Sequence, residues 1–87
     1  MTMEELLTIT CQHQASDLHL VIGSPPQLRK DGELVAAGDF GPLTPEETRL
    51  LVFSLLNDQQ KELLLANKEI DLSYQFGTLG RFRIMLS

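Results

Sequence analysis

The segment ASDLHLVIGSPPQLRKDGELV, residues 15–35, decides the fold of this chain. Over residues 17–22 the leucines and the isoleucine alternate with other side chains at a period of two. This period predicts a strand that carries Asp17 and His19 on one face and the apolar residues on the other. Such a strand needs partners, and the residues that follow it supply them.

A β-hairpin is predicted directly after this strand. Pro25 and Pro26 remove two backbone donors and fix two φ angles, so the chain must turn there or run along an edge. The Asp31-Gly32 pair favours a two-residue type I′ turn, because that turn needs positive φ at both positions. We therefore predict strands over residues 27–30 and 33–37.

Three helices are predicted from capping residues and helical spacing of apolar side chains. Thr2 followed by Glu5 forms a capping box, Thr44 precedes a proline at the first helical position, and Asn57 offers another cap. The predicted helices run over residues 3–14, from residue 45 to about residue 56, and from residue 59 to about residue 67.

A second hairpin is predicted at the end of the chain. Residues 70–76 and 81–86 both alternate with a period of two. We expect Phe76 to lie opposite Phe82, since directly opposed residues share a face. This register predicts a loop over residues 78–80 with a left-handed Gly80.

Composition limits the possible functions. With 87 residues the chain has room for one small domain, and its net charge of -5 argues against non-specific binding to nucleic acid. Cys11 is the only cysteine, so an internal disulfide is impossible and a reducing, cytoplasmic setting is expected. The acidic N-terminus and the lack of an apolar run of ~20 residues predict neither export nor a membrane span.

Two pairs of residues are candidate functional groups. Asp17 and His19 lie two apart in a strand, where they can share a hydrogen bond, contact one ligand or form a partner interface. The alternative is a purely structural role for both. A metal is not expected, because His13 is the only other histidine and lies near a helix end.

Arg81 and Arg83 form the second pair, with two guanidinium groups on one strand face that suit a phosphate or a carboxylate. The alternative is a solvated face with a cross-strand partner such as Gln75, which the predicted register places opposite Arg83. No nucleophile constellation is present, and residues 77–80 lack the lysine and the following helix of a phosphate-binding loop. We therefore expect no catalytic residues in this chain.

Several segments resemble the PilT family, the type IV pilus retraction ATPases within the secretion ATPase superfamily. They are ASDLHL with the hairpin that follows, LTPEE at 43–47, LNDQQ at 56–60, DLSY at 71–74 and GRFRI at 80–84. VIGSPP at 21–26 is typical of the retraction branch, whereas secretion and pilus-extension members usually continue into Glu-Pro. Met85 departs from the family, which usually has Asn there.

The resemblance implies that residues 1–87 are one N-terminal PAS-like domain, a fragment without the RecA-like ATPase domain. The implied fold is α+β, with a mainly antiparallel sheet of about five strands and about three helices packed on it. The family forms rings of six subunits in which each N-terminal domain packs on the neighbouring C-terminal domain. Arg81 and Arg83 would then lie near the neighbour's nucleotide.

The resemblance also implies a setting. The parent protein would be a cytoplasmic ATPase peripheral to the inner membrane, acting with the pilus machinery there and binding ATP and Mg, while this fragment would hold no cofactor. The alternatives are a free-standing PAS-like sensor, which needs a cavity of ~300 Å³ or more, and the equivalent domain of a type II secretion or pilus-assembly ATPase. Since the family continues with another strand, the strand over residues 81–86 is expected to be an unpaired edge that drives self-association.

Overall fold

The computed structural model describes residues 1–87 and contains three helices and five strands. In chain order they are α1 Met3–Gln12, β1 Asp17–Leu20, β2 Gln27–Lys30, β3 Glu33–Ala36, α2 Pro45–Phe53, α3 Asp58–Asn67, β4 Ile70–Phe76 and β5 Gly80–Leu86. The strands form one sheet in the order β3-β2-β1-β5-β4. The predicted α+β class, with five strands and three helices, is confirmed.

The sheet is mixed because β1 and β5 run parallel, while the other three pairings are antiparallel. The backbone N–H groups of Arg83 and Ser87 donate to the carbonyls of Ser16 and Leu20, both at 3.0 Å. Strand β5 therefore has a neighbour on each side. The expectation that β5 is an unpaired edge is wrong, and the two edges of the sheet are β3 and β4.

One face of the sheet forms the core with the helices. Leu18, Leu28 and Ile84 are opposed across β1, β2 and β5, and each is 0% exposed. Leu6 of α1 and Val52 of α2 are also 0% exposed and belong to the same buried cluster. The alternation over β1 thus buries its leucines and leaves the opposite face of the sheet for polar side chains.

The first hairpin has the predicted turn, with φ of 51° at Asp31 and 82° at Gly32. The second hairpin has a different register, with Phe76 opposite Gly80 and Tyr74 opposite Phe82. The prediction that Phe76 opposes Phe82 is wrong by two residues, a slip that keeps every side chain on its face and that alternation cannot detect.

The turn decides the register of the second hairpin. Gly77, not Gly80, adopts positive φ, at 54°, so the loop begins directly after β4. Gly80 instead lies under α1, where an added Cβ would approach the Cys11 Sγ to 3.2 Å. The sequence predicts that Gly80 is needed for the turn, whereas in the structure the close approach of α1 is what favours a glycine there.

The helices begin at the predicted caps; α1 and α2 end earlier than expected, whereas α3 ends at Asn67 as predicted. The Thr2 and Thr44 hydroxyls accept from the third backbone N–H of α1 and α2, and Asn57 forms a reciprocal capping box with Gln60. Gln14, predicted to be helical, has φ of 53°, so α1 has already ended. None of the three helices has the length and hydrophobicity that crossing a bilayer requires.

We expect the substitution Ile84→Ala to lower the free energy of unfolding by about 2–5 kcal/mol, because it leaves a cavity at the centre of the sheet. The matched control is Leu50→Ala on α2, whose side chain is 76% exposed, and its effect should stay within about 0.5 kcal/mol. Urea unfolding followed by circular dichroism measures both changes. Equal effects of the two variants would contradict the assigned core.

Candidate functional site on the open face of the sheet

The face of the sheet opposite the core carries the candidate residues of the sequence. The register of the strands brings them together, because opposed residues lie on the same side of a sheet. We call this surface the polar face; its polar residues are Asp17, His19, Gln27, Arg29, Asp71, Ser73, Gln75, Arg81 and Arg83.

Four residues of the polar face form a row of alternating charge across four strands, which we call the charge row. Arg29 of β2 lies opposite Asp17 of β1, and Asp17 lies opposite Arg83 of β5. Asp71 of β4 completes the row through an ion pair with Arg83. Asp17 therefore has two guanidinium groups as neighbours and Asp71 has one, which limits repulsion between like charges.

Asp17 is 8% exposed, an unusual position for a carboxylate. The Ser16 hydroxyl donates to its Oδ2 at 2.8 Å, and the Arg29 Nε lies 3.7 Å from the same oxygen. A hydrogen bond orients the arginine, whose Nη1 donates to the Gly32 carbonyl at 3.1 Å. Asp17 thus links β1 to the first hairpin.

Arg83 forms a two-bond contact with Asp71. Its Nε donates to Oδ1 at 2.7 Å and its Nη2 donates to Oδ2. These hydrogen bonds lower the pKa of the Asp71 carboxyl, and the positive charge of Arg83 adds to the effect. The same hydrogen bonds raise the pKa of Arg83, and the negative charge of Asp17 adds to this increase. The Arg83 guanidinium, which lies between Asp17 and Asp71 in the charge row, is therefore fixed in orientation by Asp71.

Arg81 differs from Arg83 although both lie on the same face of β5. It is exposed and opposes Gln75, whose Nε2 donates to the Gly77 carbonyl at 2.8 Å. No hydrogen bond or ion pair engages the Arg81 side chain. The predicted register placed Gln75 opposite Arg83. In the structure Gln75 lies opposite Arg81, the arginine without a side-chain partner.

His19 shares the polar face with Asp17, but the structure has no hydrogen bond between them. Its Nε2 is buried and has no hydrogen-bond partner. The ring borders a cleft of about 410 Å³ that also contacts Leu63 and Asn67 of α3, Asp71 of β4 and Met85 of β5. The cleft opens between the polar face and the end of α3, outside the core.

Two exposed apolar side chains line this cleft, Val21 at 38% and Leu63 at 52% exposure. A second cleft, between α2 and α3, has a volume of about 170 Å³, below the ~300 Å³ typical of small-molecule sites. The larger of these two clefts therefore borders the polar face, and the smaller one lies between the helices.

The sequence predicts four members of the site, Asp17, His19, Arg81 and Arg83, but not Arg29 or Asp71. Their signal was present, because both lie in predicted strands at positions that alternate with apolar residues. Their role became visible only with the strand order, which places β5 between β1 and β4.

We expect Asp71→Asn to reduce the loss of stability in acid. A carboxyl whose pKa is lowered by folding stabilises the folded state above its unfolded pKa, about 3.9, and this contribution is lost as the pH falls through the folded value. Unfolding midpoints measured between pH 7 and pH 2.5 should fall less for Asp71→Asn than for the unaltered chain. Asp39→Asn, at an exposed loop carboxylate without an ion pair, is the control; equal acid sensitivity of both variants would contradict the assigned pair.

Comparison with known proteins identifies relatives over nearly the whole chain. The type IV pilus retraction ATPase PilT of Pseudomonas aeruginosa is 34% identical over 84 residues, which are 97% of this chain and 24% of PilT. The type IV pilus ATPase PilU of the same organism is 32% identical over 84 residues, 97% of this chain and 22% of PilU. The Escherichia coli protein YggR is 31% identical over 83 residues, 95% of this chain and 24% of YggR. No protein-family model matches the chain.

The fold gives the same result. The crystal structure of the pilus retraction motor PilT with bound ADP superposes with a TM-score of 0.75 at 35% identity, and covers 95% of this chain and 24% of that protein. The chain thus spans about a quarter of the length of the relatives it matches. By sequence and by fold, this chain is similar to a domain-sized segment of the pilus ATPases PilT and PilU.

Proposed function

We propose that the chain is the regulatory and oligomerisation domain of a hexameric pilus-retraction motor. In this proposal it packs on the RecA-like domains of its own and the neighbouring subunit, and it contributes arginines near the neighbour's nucleotide. The observation that carries the proposal is the pair of unlike arginines on an open face, Arg83 held by Asp71 and Arg81 free. The similarity to PilT gives that face its context.

The geometry supports different roles for the two arginines, phosphate contact for Arg81 and positioning of the strand for Arg83. Arg81 has all of its N–H donors available, and a guanidinium can neutralise phosphate charge that develops during ATP turnover. Arg83 must leave Asp71 before it can bind a phosphate fully, so in the resting domain it positions the strand. Placed beside a bound nucleotide, Arg81 is the phosphate-contacting group and Arg83 its support.

The remaining parts of the proposal concern the parent protein. ATP and Mg would bind to its RecA-like domain, and turnover would drive movement of pilus machinery at the inner membrane, with the parent on the cytoplasmic side. The net charge of -5 disfavours nucleic acid as a partner. In this proposal the ligand of the polar face is a protein surface. The homologous domain of a pilus-assembly or secretion ATPase would have the same role.

We expect Arg81→Ala in the full-length parent to lower ATP turnover at least tenfold, since an arginine supplied in trans contributes strongly to phosphoryl transfer. The stability of the domain should change by no more than about 0.5 kcal/mol, because the side chain is exposed. The matched control is Arg49→Ala, at another exposed arginine without an ion pair but on α2. The isolated 87-residue chain, assayed for phosphate release, is the blank.

Turnover that is equal in the Arg81→Ala and Arg49→Ala parents would contradict the proposed role of Arg81. Phosphate release by the isolated chain itself, retained after further purification, would contradict the assignment of catalysis to the rest of the parent.

A small-molecule sensor is the second candidate, and the cleft beside His19 favours it. Its volume of about 410 Å³ exceeds the ~300 Å³ that such a site needs, and the His19 Nε2 has no partner. The NMR signals of the His19 ring distinguish the two functions. Adding the separately expressed RecA-like domain should shift them if the polar face docks that domain, whereas shifts caused only by a small-molecule fragment library would favour the sensor.

A further inference from the structure

The two edges of the sheet differ in how they are protected. Edge strands normally carry charges, prolines or bulges, or are short, because an open edge recruits other strands. Strand β3 follows this pattern, with four residues and a charged approach through Lys30 and Asp31. Strand β4 does not, since it has seven residues, no proline and a single charged side chain, Asp71.

The backbone groups that β4 leaves free can be assigned from its neighbours. The N–H groups of Arg83 and Ser87 donate toward β1, so the alternate residues of β5 exchange hydrogen bonds with β4. Their opposed partners on β4, which include Leu72 and Tyr74, therefore direct their backbone groups inward. Asp71, Ser73 and Gln75 direct their N–H and C=O groups outward.

A second copy of β4 matches these outward groups when the strands run antiparallel about Ser73. In this register Ser73 opposes Ser73, and Asp71 of each copy opposes Gln75 of the other, so all three outward residues exchange bonds with a partner. Pairing centred on Leu72 or Tyr74 leaves some of those groups unmatched. The register centred on Ser73 thus satisfies six donors and six acceptors across the two copies.

The side chains fit the same register. On the core side, the half-buried Leu72 and Tyr74 of one copy meet Tyr74 and Leu72 of the other, and Ile70 meets Phe76. Aliphatic and aromatic residues are favourable cross-strand partners. On the polar face a carboxylate meets an amide, and no like charges oppose each other.

We propose that β4 is a homotypic interaction surface, which pairs antiparallel with β4 of a second copy of this chain about Ser73. The self-complementary register favours a second copy over an unrelated strand. The contact uses the edge of the sheet and leaves the polar face open, so it is independent of the proposed docking on a motor domain. Because each copy carries a net charge of -5, association should strengthen when salt screens the repulsion.

Position 75 provides a sharp test, because the monomer and the dimer respond to charge there in opposite ways. Gln75→Glu places a carboxylate opposite Asp71 of the second copy, which repels it, and opposite Arg81 of its own chain, which attracts it. Gln75→Lys places an ammonium group there, which Asp71 of the second copy attracts and Arg81 repels. We expect the Glu variant to dimerise about threefold to tenfold more weakly than the unaltered chain, and the Lys variant more tightly by a similar factor. Sedimentation equilibrium gives the dimer constants, and urea unfolding of dilute samples should show the opposite order of monomer stability.

Gln59→Glu and Gln59→Lys on α3 are the matched controls, since they change the net charge equally at an exposed site on another element.

Ser73→Pro provides a second test, because it removes an outward N–H and preserves the hydrogen bonds between β4 and β5. It should abolish association while the circular dichroism spectrum remains unchanged. A monomer at millimolar protein and high salt would overturn the proposal. So would position 75 variants that merely follow the position 59 controls, association that survives Ser73→Pro, or an edge that binds other strands but not its own copy.

Discussion

The parallel pairing of β1 with β5 is the contact on which the rest of the structure depends. It places Leu18 opposite Ile84 at the centre of the core and, one residue earlier, Asp17 opposite Arg83 on the polar face. Parallel neighbours need a long crossover, and here the crossover contains β2, β3, α2, α3 and β4. One register therefore fixes both the packing of the core and the order of the charges.

The charge row follows from that register and separates two arginines that look equivalent in the sequence. Arg83 lies between Asp17 and Asp71, so its guanidinium is oriented before any partner arrives. Arg81, two residues earlier, lies beyond the row and keeps its donors free. An exposed ion pair stabilises a fold little, which makes orientation, and not stability, the main consequence of the Arg83–Asp71 pair.

The local elements could be predicted from the sequence because their signals are local. Caps such as Thr44 start helices, and Asp31-Gly32 makes a type I′ turn, through contacts within a few residues. Strand order and the register of the second hairpin depend on contacts between distant residues. The packing of Cys11 near Gly80 and the insertion of β5 beside β1 leave no trace in alternation, which a slip of two residues preserves. The predicted site is incomplete for the same reason, since only the observed register of β4 and β5 brings Asp71 within ion-pair distance of Arg83.

Asp71 belongs to both surfaces of the domain. Its side chain holds Arg83 on the polar face, while its backbone groups point outward along the β4 edge. A strand that paired with that edge and carried a cation opposite Asp71 would compete with Arg83 for the same carboxylate, whereas an amide in that position would not. The Gln75 of a second copy is such an amide, so homotypic pairing leaves the charge row intact. The chemistry of a strand that covers the edge would therefore determine whether Arg83 keeps its ion pair with Asp71.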